Sequence, residues 1–161
     1  MTAAGPIAPR TLMALALLLG AAHTTRADDD RRVSGAPVLP AYRQECAACH
    51  VPYPPAMLPA ASWKRLMDNL PRHFGTDASL DPASVTELST WLIANAGTSR
   101  RVSAAPPEDR VTTSAWFVRK HEEVPAAVWR SPAVKSPAHC SACHARADQG
   151  DFNEHDVRVP R

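Results

Sequence analysis

All four cysteines of this 161-residue chain fall in two copies of one pentapeptide, Cys46-Ala-Ala-Cys49-His50 and Cys140-Ser-Ala-Cys143-His144. Two thiols three positions apart lie along one side of a turn, and the next residue brings an imidazole beside them. That spacing suits one haem: the thiols add across its two vinyl groups while the imidazole takes the iron from the proximal side. A four-cysteine zinc site would place the second pair about 15–20 residues after the first, whereas most of the chain separates the pairs here. Two disulfides would leave the following histidines unexplained, and a thioredoxin-like motif needs a βαβ context that the chain lacks. The pattern therefore implies two covalently bound haems c. Cys46, Cys49, Cys140 and Cys143 are the thioether residues, and His50 and His144 the proximal iron ligands.

Covalent haem attachment of this kind takes place outside the cytoplasm in bacteria, and the N-terminus reads accordingly. Arg10 precedes a short apolar run from Thr11 to Ala22, and Thr25-Arg26-Ala27 offers small residues at a cleavage site. Residues 1–27 are expected to be a signal peptide that directs the chain to the periplasm. A dozen apolar residues is too short to span a bilayer, so the mature chain should hold no transmembrane segment. Arg10 and Arg26 leave with the signal, which brings the 18 basic and 16 acidic residues of the full chain to an even balance. That balance excludes the basic footprint of a nucleic-acid-binding protein.

Periodicity along the rest is helical and short. Residues 28–39 are charged and turn-rich, a loose arm. The first structured element begins near Pro40. Ser62 is placed to cap a helix carrying Trp63, Leu66, Met67 and Leu70 on one face, ended by Pro71. Asp81-Pro82 marks another helix start, with Val85, Leu88, Leu92 and Ala96 on one face and Gly97 as its stop. A third helix is expected from about Thr113 to Val124 with Phe117, His121 and Val124 together, and a fourth from Ser136-Pro137 through the second cysteine motif toward Gly150. No segment alternates convincingly, so the expected class is all-α with extensive irregular loops. The chain should divide into an N-terminal haem domain (40–98), a linker (99–110) and a C-terminal haem domain (111–161).

The sixth ligand of each iron decides whether such a protein carries electrons or binds a small molecule. Six side chains compete for the two positions: His73, His121, His139, His155, Met57 and Met67. Met67 lies on an apolar stripe, where a methionine is ordinary core, and Met57 sits in a proline-rich loop. His121 shares an apolar face with Phe117, where an imidazole without a partner would be costly. His139 is tethered beside Cys140 on the proximal side of its own haem, and His155 lies in a polar tail. Spacing alone leaves His73 even between ligand and surface residue.

From CAACH through YPPAMLPAASWKRLMDNLPRHFGTDASLDPASVTELSTWLIANA, then SAWFVRKHEEVP and SPAHCSACHARADQGDFNEHDVRVPR, the chain resembles the proteobacterial dihaem cytochrome c family of periplasmic bis-histidine electron carriers. The resemblance implies two small cytochrome c haem modules, the first similar to a class I cytochrome c. It places distal histidines at His73 in the HFG element and His121 in the WF...H element, with His139 and His155 losing weight. It also implies redox partner proteins such as a small monohaem cytochrome or a membrane b-type cytochrome. The function expected is electron transfer through two six-coordinate, low-potential haems. The alternative is a haem peroxidase or small-ligand sensor with one open iron.

The roughly 134 residues left after cleavage hold few large apolar side chains and need the haems to complete a core. Apoprotein made in the cytoplasm should therefore show little helix by circular dichroism. A cooperative thermal transition with native-like helix content would contradict that expectation.

Overall fold

The computed structural model describes residues 1–2 and 37–160. The expected signal peptide and most of the expected N-terminal arm lie outside the described residues. Five short helices follow in order: α1 (Pro40–Cys46), α2 (Ala60–Met67), α3 (Pro82–Ala94), α4 (Ala115–Lys120) and α5 (Ala126–Trp129), with seven single 3-10 turns among the connections. The described residues contain no strand, only isolated bridges between His73 and Thr76 and between His144 and Val157. The architecture is all-α with extensive irregular chain.

The core gathers where α3 packs on α1 and α2. Leu88 and Leu92 of α3 are fully buried against Tyr42 of α1 and Trp63 and Met67 of α2. Two of these aromatics also hold the proline-rich loop after the first cysteine motif. The Trp63 indole donates to the Pro55 carbonyl (2.7 Å) and the Tyr42 hydroxyl to the Tyr53 carbonyl (2.9 Å). A buried indole or phenol needs such a partner, and here the partner is a backbone that prolines leave short of ladder bonds. Met57 is buried in this loop, as Met67 is in α2, so both methionines are core residues.

Helix α3 begins as its sequence dictates: the Asp81 carboxylate accepts from the amides of Ala83 and Ser84, with Pro82 at the first helical position. Its end does not, because the helix stops at Ala94 and Asn95 caps it. Gly97 is needed for a different reason. Its amide donates to Leu58 (2.8 Å), and a Cβ there would come within 2.4 Å of the Ala56 carbonyl oxygen and 2.3 Å of Val102. Ser62 is no cap either: it is completely buried inside α2, which starts two residues earlier because the Pro59 carbonyl accepts from both Ser62 and Trp63.

The second half is less helical than its sequence suggests. Ser114 caps α4 at the Phe117 amide, but α4 ends at Lys120 with His121 as its C-cap, and Val124 lies beyond it. Pro125 then serves as N-cap of α5. In place of a fourth long helix, residues 136–150 form 3-10 turns at Cys140–Ala142 and Ala147–Gln149. The chain must bend there, since the Arg158 amide returns to donate to the Cys143 carbonyl (2.9 Å). The turn Pro107–Asp109 lies against α2, where Arg65 binds Asp109 through two bonds of 2.6 and 2.8 Å, and Val102 is buried near Gly97. The guanidinium holds the Asp109 carboxyl below the usual carboxylate range.

Gly97→Ala should lower the stability of the holoprotein by about 1–3 kcal/mol, the usual cost of forcing an added methyl into a packed site. Chemical denaturation followed by helix content measures it. Unchanged stability would show that the loop at Ala56 yields freely.

Candidate functional site

Two pairs of imidazoles face each other. His50 and His73 have ring centroids 6.2 Å apart with planes inclined by 26°, and His121 and His144 stand 6.1 Å apart at 73°. Both separations exceed ring-on-ring contact by about one atom. A ligating imidazole nitrogen sits about 2 Å from its metal and the ring centre roughly 1 Å further back, so two rings gripping one ion from opposite sides stand about 6 Å apart. The donor set and spacing fit one haem iron in each pair.

Local structure holds each ring. His50 follows the turn that closes α1, and its Nδ1 pairs with the Val51 carbonyl (2.7 Å). His73 follows the 3-10 turn Leu70–Arg72, where Pro71 ends the helical run, and its amide closes that turn on Leu70. The next residue, Phe74, adopts φ 50° and packs on His73 (4.8 Å between centroids), with the Arg110 guanidinium 4.1 Å above its ring. A bulky residue at positive φ is strained. The strain turns the chain directly after His73, and Gly75, also at positive φ, continues that turn.

In the second pair His121 ends α4, its Nδ1 bonded to the Phe117 carbonyl (2.9 Å) and its ring stacked on Phe117 at 4.0 Å. His144 is held by the bridge to Val157 and lies against Phe152. Phe117, Trp116, Trp129, Phe152 and Val157 form an apolar cleft around this pair, together with Cys140 and Cys143.

The protonation states suit ligation. At His50 and His121 the Nδ1 proton goes to a backbone carbonyl, which leaves Nε2 with its lone pair facing the gap. Nδ1 of His73 and of His144 is buried without a hydrogen-bond partner. Burial, reinforced by His50 and Arg110, holds His73 below the usual histidine range, and burial with His121 does the same for His144. Both imidazoles stay neutral, the form that binds a metal. As free thiols Cys46 and Cys140 are pushed up to about 11, chiefly by burial.

Of the remaining candidates, His139 is exposed, bonds the Val134 carbonyl (3.1 Å) and, like Met57, lines the cleft around His121 and His144, while His155 is exposed in the tail. The cleft around His121 and His144 also contains residues that periodicity did not single out. Val157 and Val159 line the cleft on either side of Arg158, a run too short to read as alternation. Phe152, a lone aromatic among polar residues, carried no signal either.

A helical chain with two haem-attachment motifs, each beside a facing pair of histidines, is a two-haem c-type cytochrome. Residues 42–152 match the family described as Dihaem cytochrome c. The dihaem cytochrome c of Shewanella baltica OS155 superposes with a TM-score of 0.67 at 36% identity, covering 78% of this chain and 95% of its own. Two structures of the dihaem cytochrome c of Rhodobacter sphaeroides give 0.63 and 0.64 at 43% and 41% identity, covering 73% and 71% of this chain and 99% and 97% of theirs. No curated protein matches the chain significantly. The chain belongs to the dihaem cytochrome c family, and its cofactors are two haems c.

Proposed function

We propose that this protein carries electrons between redox partner proteins in the periplasm through two six-coordinate, low-potential haems, one ligated by His50 and His73 and the other by His144 and His121. The observation that carries this reading is the atom-wide gap between the rings of each pair. With imidazole on both sides, an iron changes oxidation state without losing or gaining a ligand, and two imidazoles favour the ferric form more than a histidine–methionine pair does.

The protein's part is to hold the four imidazoles in place. His50 and His121 are oriented by their carbonyl partners, His73 by the strained turn at Phe74, and His144 by the returning tail. Periplasmic location is supported by the cleavable leader read in residues 1–27, by family membership and by the described residues, which hold no helix long and apolar enough to cross a membrane. Small monohaem cytochromes or membrane b-type cytochromes are the partners this reading favours.

His121→Ala should open one iron of the two, so that reduced protein binds carbon monoxide at half its haem content, and His73→Ala should open the other. His121→Met should instead keep a low-spin spectrum while raising that haem's potential, since a thioether favours the ferrous state. Wild-type protein should bind no carbon monoxide at all. Binding by the wild type would move the protein to the ligand sensors or peroxidases. A His121→Ala variant that refuses carbon monoxide would remove His121 from the iron.

A further inference from the structure

One aromatic side chain touches both haem sites and has no part in ligation. Tyr53 lies three residues after His50, and its ring stacks on that imidazole with centroids 4.9 Å apart and planes 26° from parallel. Its hydroxyl reaches across to the other half of the chain, donating to the carbonyl of Ala138 (3.0 Å), two residues before Cys140. Tyr53 also lines the cleft around His121 and His144, which Cys140 shares.

The placement of Tyr53 is constrained from three sides. Pro52 and Pro54 flank it, both buried, and each fixes its own φ. The Tyr53 carbonyl is held at 2.9 Å by the hydroxyl of Tyr42, which is itself buried against Trp91 in the core. The ring therefore cannot swing away from His50 without breaking the loop that α1 and α2 hold. A half-buried tyrosine kept this way, with its ring face on His50 and its hydroxyl on the backbone just before the second attachment motif, is a bridge.

We propose that Tyr53 couples the two haems: its ring and hydroxyl form the packed route from His50 to the Ala138 carbonyl, two residues before Cys140, along which an electron passes between the irons. This rests on the electron-carrier reading. Each transfer moves one electron, oxidising one iron and reducing the other. No bond forms or breaks, no proton moves, and the tyrosine is neither oxidised nor reduced. Electron tunnelling falls steeply across each through-space gap, so a contiguous path from imidazole to ring to hydroxyl to the Ala138 carbonyl outperforms an opening of the same length.

The test uses holoprotein carrying Tyr53→Phe or Tyr53→Leu, with the visible spectrum confirming that both haems are low-spin. Electron exchange between the haems is followed in half-reduced protein by flash photolysis, and both potentials by spectroelectrochemical titration. Tyr53→Leu should slow exchange by about tenfold or more, within the range that loss of an outer-shell partner produces. Tyr53→Phe, which keeps the ring on His50 but loses the bond to the Ala138 carbonyl, should slow it less, with both potentials unchanged. Exchange at the wild-type rate in Tyr53→Leu would overturn the coupling. If Tyr53→Leu loses its low-spin spectrum, Tyr53→Phe decides: exchange at the wild-type rate overturns the proposal. Carbon monoxide binding by the wild type would overturn the carrier reading itself and is recorded before any variant is made.

Discussion

Short helices and single 3-10 turns make a weak scaffold by themselves, and what organises this one is a pair of imidazoles facing each other across an atom-wide gap, twice. His50 and His73 are 23 positions apart, and so are His121 and His144. In the first pair the histidine of the attachment motif comes before its partner, and in the second it comes after. Each pair, once it grips an iron, closes a loop of the same length, as a disulfide would. Restricting the unfolded chain over such a loop contributes about 3–4 kcal/mol in the chain-entropy account. Two closures of that size are a large share of the stability of a domain this small. They also explain why the second half tolerates so little regular structure: its turns have to deliver Cys140, Cys143 and His144 to a haem, and a continuous helix would not.

The two halves differ in how they shelter the gap. The first borrows the main core, where Tyr42, Trp63 and Leu88 sit behind α1, and leaves Cys49 and Phe74 exposed at its edge. The second has a cleft walled by aromatic residues and completed by the chain's own tail, with Lys120 bound to Glu154 at 2.5 Å and Arg146 paired with Asp151 and Asp156. Exposed ion pairs like these add little stability each, but they bring the tail to the place where Val157 meets His144. Tyr53 joins the two environments, which ties the proline-rich loop of the first half to the attachment motif of the second.

Much of this was legible in the residues because the relevant chemistry is local. The cysteine motifs, the Asp81-Pro82 helix start and the core character of Met67 each follow from neighbours within one or two turns. His121 required a partner because of its apolar face, and it has both a carbonyl and a facing imidazole. His73 was undecided from spacing and was favoured only through the family resemblance, since the turn that aims it depends on Phe74 taking a positive φ that no pattern announces. Gly97 was marked as a helix stop when its actual demand is the close approach of Ala56, a long-range packing fact. The long helix expected over 136–150 failed because tertiary demands on the second motif override its local propensity. Tyr53 went unnoticed because a contact with Ala138, 85 positions away, leaves no trace in local sequence.

The central claim, that each iron sits between the two histidines of its own pair, is tested most directly by electron paramagnetic resonance of the fully oxidised protein. The angle between two axial imidazole planes sets the splitting of the iron d orbitals. Near-parallel planes give a well-resolved rhombic low-spin signal, and near-perpendicular planes give a broad, highly anisotropic one. With planes at 26° in the first pair and 73° in the second, the account predicts one low-spin signal of each kind in equal amounts. A high-spin ferric signal, or two low-spin signals of the same type, would contradict it.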